Sequence, residues 1–147
     1  MTLTIRPLLA TDQAAWRRLW TAYLAFYDTV LPEVIFQTHF ARLLGDDPQD
    51  YHGLVADIDG NLVGLTHYVF HRHGWTIGNT CYLQDLYADP AVRGTGIGRK
   101  LIEAVYAAAD TAGAASVYWM TNRTNTTARQ LYDRIAEPTD FIKYRRR

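Results

Sequence analysis

Apolar and polar positions recur at two different periods along the chain, and the changes of period predict the elements. Residues 2–6 alternate, are rich in Thr and Ile, and predict a short strand stopped at Pro7. Thr11 or Asp12 then offers a cap for a helix in which Trp16, Leu19, Trp20, Tyr23, Leu24 and Tyr27 recur at spacings of three and four. That spacing makes a wide apolar stripe. Pro32 opens a second helical stretch with Ile35, Phe36, Phe40, Leu43 and Leu44 on one side, ended by Gly45-Asp46-Asp47-Pro48.

The period then falls to two. Residues 53–58 and 62–70 read as strands joined by an Asp59-Gly60-Asn61 turn. His71-Arg72-His73-Gly74 reads as a surface loop, and a longer strand runs over about residues 80–88. Asp89-Pro90 stops it. A glycine-rich loop leads into a third helix, with Ile97, Leu101, Val105, Ala108 and Ala112 as its stripe and Gly113 as its C-cap. A strand over residues 116–120, a short helix over 125–135 and a last strand over 141–144 complete the order. In the short helix Ala128, Leu131, Tyr132 and Ile135 share a face. The order predicts one mixed α/β domain over residues 1–147, with no linker or repeat.

Composition narrows the function classes. Nearly half of the 147 residues are apolar, enough for one core. Fifteen basic residues balance fifteen acidic ones, so charge gives no argument for nucleic acid or an anionic membrane as partner. The basic tail Lys143, Arg145, Arg146, Arg147 reads as a solvated end. The single cysteine, Cys81, excludes an intrachain disulfide and reads as a packed strand residue. No run approaches the roughly 20 apolar residues that span a bilayer, and the N-terminus carries no apolar leader core. The expectation is a soluble cytoplasmic protein. His67, His71 and His73 lack a convergent set of ligands, so no metal is expected.

The chemistry sits in Arg93-Gly94-Thr95-Gly96-Ile97-Gly98-Arg99-Lys100, between a strand and a helix. Close glycines let backbone N–H groups approach an anion, and the helix start adds unpaired donors and the positive end of its dipole. Such a turn can hold a pyrophosphate. A Walker A loop would need Ser or Thr after a Gly-Lys pair, and a dinucleotide fingerprint would need GxGxxG early in the chain; neither is present.

With that loop the sequence resembles the GNAT N-acetyltransferase superfamily, whose loop is Arg or Gln, two residues, Gly, one residue, then Gly or Ala. Arg93, Gly96 and Gly98 satisfy it. Tyr82-Leu83-Gln84-Asp85-Leu86-Tyr87-Ala88 resembles the family's central strand. Asn125 followed seven residues on by Tyr132 resembles its later helix. The look is nearest to the small-amine branch that includes spermidine/spermine and amino-acid or histone acetyltransferases.

The resemblance implies a mixed sheet with helices on both faces and a splay between two central parallel strands. Acetyl-coenzyme A would enter the splay. Its pantetheine would meet the backbone of Leu86, Tyr87 and Ala88, with Asn125 and Ala128 beside it. Arg93 and the run Gly94, Thr95, Gly96, Ile97, Gly98 and Arg99 would hold the pyrophosphate. Tyr132 would act as general acid near the sulfur, and the Leu86 N–H would hold the oxyanion.

An alkyl amine is neutral only about once in 2,500 molecules at pH 7, so a base is wanted. The polyamine enzymes carry Glu where this chain has Gln84, which can orient a water or hold the acceptor but cannot take a proton. Strand alternation turns Asp85 to the opposite face and makes it a structural acid. Tyr27, Asp28 and Glu33 are candidates for the acceptor wall together with Gln84. The implied acceptor is a small primary amine, polyamine or amino acid. Protein lysines or N-termini, a non-catalytic acyl-coenzyme A sensor and a nucleotide-binding module are the rival readings. Many relatives are homodimers, which makes a homodimer the implied assembly.

Overall fold

The computed structural model describes residues 2–147. β1 (Leu3–Pro7), β2 (His52–Ile58), β3 (Asn61–His71), β4 (Thr80–Ala88) and β5 (Ser116–Tyr118) form one sheet in that order. The first three neighbouring pairs are antiparallel, and β4 with β5 is parallel. Asp59 and Gly60 both have positive φ, 51° and 91°, which is why an Asp-Gly pair closes the β2–β3 hairpin in two residues.

Helices α1 (Gln13–Phe26) and α2 (Glu33–Leu44) cover one face. Trp16, Leu19, Trp20 and Leu24 of α1 meet Phe36, Phe40 and Leu43 of α2 over Val55, Leu65 and Tyr87 of the sheet. Helices α3 (Ile97–Thr111) and α4 (Thr126–Ile135) lie on the other. There Ile102, Val105 and Ala109 of α3 pack on Tyr68, Cys81 and Leu83, with Leu131, Tyr132 and Ile135 of α4 against the same cluster. Cys81 is sealed in this layer, and burial pushes its thiol pKa up to about 11.

Three expectations shift. In α2 the buried stripe is Phe36, His39, Phe40 and Leu43, leaving Ile35 and Leu44 partly exposed. In α3 it is Ile97, Leu101, Ile102, Val105 and Ala109, so Ala112 faces solvent. Residues 141–144 form no strand: Phe141, Ile142 and Tyr144 are exposed and no ladder partner lies beside them among the described residues. An apolar alternation makes a strand only where a free edge accepts its backbone bonds. β5 is therefore the sheet's edge, not a central strand.

Asp12 does not cap α1 through its side chain. It turns back to accept from the Leu9 N–H at 2.8 Å and from both terminal nitrogens of Arg6 at 2.8 and 3.0 Å. Arg6 also reaches Asp57, so the pair ties β1 and β2 to the start of α1. The Arg6 hydrogen bonds hold the Asp12 carboxyl below the usual carboxylate range, against the opposing effect of burial. A depressed pKa stabilises the fold above the unfolded value of ~3.9, and that contribution fades as pH falls through the folded value. Asp12→Asn is expected to cost about 2 kcal/mol at pH 7 and progressively less below about pH 4. Urea unfolding at pH 7 and at pH 3 checks it; an equal loss at both would refute the assignment.

Candidate active site

β4 and β5 pair over Thr80–Ser116, Cys81–Val117 and Tyr82–Tyr118 and then part. From Leu83 to Ala88 the β5 side of β4 has no strand beside it among the described residues. This is the expected splay. At its start β4 carries a bulge: Leu83 opposes Tyr68 and Asp85 opposes His67, leaving Gln84 over. The extra residue reverses the facing of everything after it. Cys81 and Leu83 face α3, whereas Tyr87 joins the α1–α2 core.

Gln84 accepts a hydrogen bond at its Oε1 from the Tyr51 hydroxyl, 2.6 Å away, and Tyr51 packs in the α1–α2 layer. Asp85 meets His67 and lies close to Tyr23 of α1. Gln84 and Asp85 thus share one face, correcting the alternation that set them apart. With one lone pair of its oxygen engaged, Gln84 offers a ligand its amide N–H donors and the remaining lone pair.

The glycine-rich loop supplies the anion cradle. Gly94 and Gly96 each have φ of 84°, and among the described residues nothing beyond the chain neighbours lies within 4 Å of where a β-carbon would stand on either. The first α3 bond runs from Lys100 N–H to Gly96 O at 3.0 Å. The N–H groups of Ile97, Gly98 and Arg99 therefore have no helical acceptor, and among the described residues no side chain caps them. Ile97 is 2% exposed, and its side chain anchors the helix start in the core. Thr95 spends both its N–H and its hydroxyl on Val92 O. Arg93 braces the loop: its Nε donates to Ala88 O at 3.0 Å and its guanidinium lies over the Tyr87 ring. Arg99 pairs with Glu103 at the surface. Open space, free N–H groups and a helix dipole fit a pyrophosphate.

Tyr132 is half-buried on α4, edge-on to Trp119 at 5.4 Å between ring centroids. Burial, helped by the nearby Tyr27 hydroxyl, pushes its pKa up to about 12. Asn125 caps α4 by position and donates to the Thr121 hydroxyl. It shares a cleft of about 380 Å³ with Phe26, Tyr27, Asp28, Asn122 and Thr124. Tyr27 and Asp28, two of the expected acceptor residues, therefore stand beside Asn125, one of the expected cofactor residues. Glu33 is held in a two-pronged pair with Arg17, at 2.6 and 2.7 Å, and is committed within the chain.

A buried polar cluster that the sequence reading left apart lies beneath Gln84. Trp16 donates its Nε1–H to His67 Nε2 at 2.9 Å, and His67 Nδ1 lies 2.8 Å from Asp85 Oδ2. An indole nitrogen can only donate, so Nε2 must be bare and Nδ1 must carry the proton given to Asp85. His39 Nε2, 3.1 Å from the same Nδ1, then faces it as an acceptor. Burial first, and then the neighbouring His67, lower the His39 pKa to about 4, so His39 is neutral at pH 7. These three side chains could surround a cation by position. A metal on Nδ1 would leave Nε2 protonated and facing the Trp16 donor, so the arrangement reads as a hydrogen-bond network.

A mixed sheet opens between parallel strands next to a glycine-built helix start, and the family that the chain matches makes it an acyltransferase. The chain belongs to the acetyltransferase (GNAT) family, whose model matches residues 13–136. Over 145 residues it is 36% identical to the D-amino-acid N-acetyltransferase HPA3 of Saccharomyces cerevisiae, covering 98% of this chain and 90% of that protein. It is also 36% identical over 92 residues to the thialysine N-epsilon-acetyltransferase of Sus scrofa, covering 56% of this chain and 53% of that one. Its fold matches AAC(6')-Iy, solved in complex with the bisubstrate analog CoA-S-monomethyl-acetylneamine, with a TM-score of 0.85 at 19% identity over 100% and 99% of the two chains.

Proposed function

We propose that this protein transfers acetyl from acetyl-coenzyme A to the primary amine of a small molecule, with amino acids and polyamines as the acceptor classes. The observation that carries the reading is the splay of β4 from β5 beside the Gly94–Gly96 cradle, which places an anion grip and an open strand edge on one path. The two curated relatives, named for a D-amino acid and for thialysine, support a small acceptor.

When bound, acetyl-coenzyme A supplies the activated acyl group. The N–H groups of Ile97, Gly98 and Arg99 hold its pyrophosphate, and the backbone of Leu86, Tyr87 and Ala88 lines its pantetheine arm with Asn125 and Ala128 across the gap. The Leu86 N–H, next to the bulge, is the donor assigned to the acyl oxygen. Thr66 Oγ1 donates to the Asp85 carbonyl at 2.8 Å and so fixes the backbone just before it.

Tyr132 keeps its proton at neutral pH and gives a hydrogen bond to the leaving sulfur. With its pKa near 12 against ~8.5 for a thiol, full transfer from the resting phenol is uphill by about 5 kcal/mol. Tyr132 therefore acts first as a donor to developing charge and hands over its proton late. The test is thiol release from acetyl-coenzyme A with D- and L-amino acids, polyamines, aminoglycosides and lysine peptides, the product identified by mass. Release with a small amine is the expected result. Release with peptides alone would overturn the acceptor class, and tight cofactor binding without any release would favour a sensor.

A further inference from the structure

The Leu86 N–H owes its direction to the register of β3 and β4. The Asp89 N–H donates to Val63 O at 2.8 Å. Bonds fall on alternate pairs of an antiparallel ladder, so Leu65 with Tyr87 and His67 with Asp85 exchange them, and Thr66 opposite Leu86 does not. The Asp85 carbonyl therefore points at β3 and accepts from the His67 N–H. In a trans peptide the N–H lies opposite the C=O. The Leu86 N–H, on the same peptide plane, points away from β3 and into the splay.

That carbonyl has a second donor. Thr66 Oγ1 lies 2.8 Å from it, and Thr66 is fully buried. Thr66 shares its face with Leu86, which packs under α3. A buried hydroxyl costs stability unless it is bonded, and valine has the same outline and suits a strand as well. The ladder already gives the Asp85 oxygen one donor, so packing and backbone pairing are both met without the Thr66 oxygen. Its effect falls on the other end of the peptide. A donor on the C=O draws charge along the amide and makes the N–H a stronger donor, by roughly 10–30% per bond. The opposite face holds the same residue: the Asp85 carboxylate accepts from the His67 ring at 2.8 Å and from the Tyr23 hydroxyl. The Asp85 side chain is thus spent on holding its own backbone, beside the bulge where the ladder skips Gln84.

We propose that Thr66 is a positioning residue for the transfer: from the α3 face its hydroxyl fixes and polarises the Asp85–Leu86 peptide, and so sets the strength of the Leu86 N–H toward the acyl oxygen. The role rests on the proposed acetyl transfer and deepens it. Thr66 touches neither substrate. It acts through one peptide plane, with the hydroxyl on one end and the reacting oxygen on the other.

The probe is the methyl ketone analogue of acetyl-coenzyme A in which a methylene replaces the sulfur; it keeps the acyl oxygen and cannot transfer. Added to ¹⁵N-labelled protein, it is expected to move the Leu86 amide proton downfield. In Thr66→Val that movement should fall by at least about half, and in Thr66→Ser it should return to the wild-type size, with cooperative thermal melts throughout. In turnover Thr66→Val is expected to lower kcat about tenfold, less than the roughly 100-fold that loss of a whole oxyanion donor costs. KM for acetyl-coenzyme A and for the amine should stay unchanged, and Thr66→Ser should recover most of the rate. A Leu86 amide that the ketone leaves in place, an equal movement in Thr66→Val, or equal kcat losses in the valine and serine variants would each overturn the role. The NMR arm needs no acceptor, so a chain whose Leu86 amide responds as expected but which releases no thiol with any amine would contradict the transfer reaction and leave the polarised peptide standing.

Discussion

Gly96→Trp is expected to weaken coenzyme A binding by at least about 100-fold, or roughly 2.7 kcal/mol. The argument separates fold from site. A side chain at φ of 84° strains the backbone by about 1–2 kcal/mol, yet among the described residues nothing beyond its own chain neighbours lies within 4 Å of the new β-carbon. The protein should fold. What the indole takes is the open space over the N–H groups of Ile97, Gly98 and Arg99, and a pyrophosphate cannot reach donors it cannot approach. Calorimetric titration with coenzyme A, beside a thermal melt, reads both effects. Wild-type affinity in a folded variant would remove this loop from the cofactor site. Gly96→Ala separates the terms further: it carries the backbone strain without the bulk, so its affinity should fall far less.

Tyr132→Phe is expected to lower kcat about 100-fold with little change in coenzyme A affinity. Phenylalanine keeps the edge-on packing against Trp119 and deletes only the hydroxyl. The size follows from the pKa near 12: a donor so much weaker than the departing thiol contributes toward the low end of general-acid effects. Steady-state kinetics with the acceptor found by the amine panel decides it. An unchanged kcat would assign Tyr132 to packing.

The glycine loop, the helix it starts and the strand before it were legible because their signals are local. Gly94 and Gly96 are needed where they stand by backbone conformation alone. The bulge was not legible in that way. Cys81, Leu83, Asp85 and Tyr87 read as an unbroken alternation, and no glycine or proline marks an inserted residue. A signal was nonetheless present, since unbroken alternation would bury the Asp85 charge beside Ile102 and Val105. The inserted residue resolves that conflict and turns Asp85 toward His67. His67 and Tyr51 are far from β4's splay in sequence, so only the hairpin register and the α1–α2 packing bring them to it. The predicted strand over 141–144 failed for a related reason: the pattern was strand-like, but edges are a tertiary property.

Cys81 has a practical consequence for every assay above. It is the chain's one cysteine, fully covered by the α3 layer, with its pKa near 11. At pH 7 about one molecule in ten thousand would carry the thiolate even if a reagent could reach it. The native protein should be silent toward aromatic disulfide reagents. Any yellow colour that develops in a turnover mixture then counts released coenzyme A directly, and a slow rise with the protein alone, without acetyl-coenzyme A, reports opening of the β4–α3 layer.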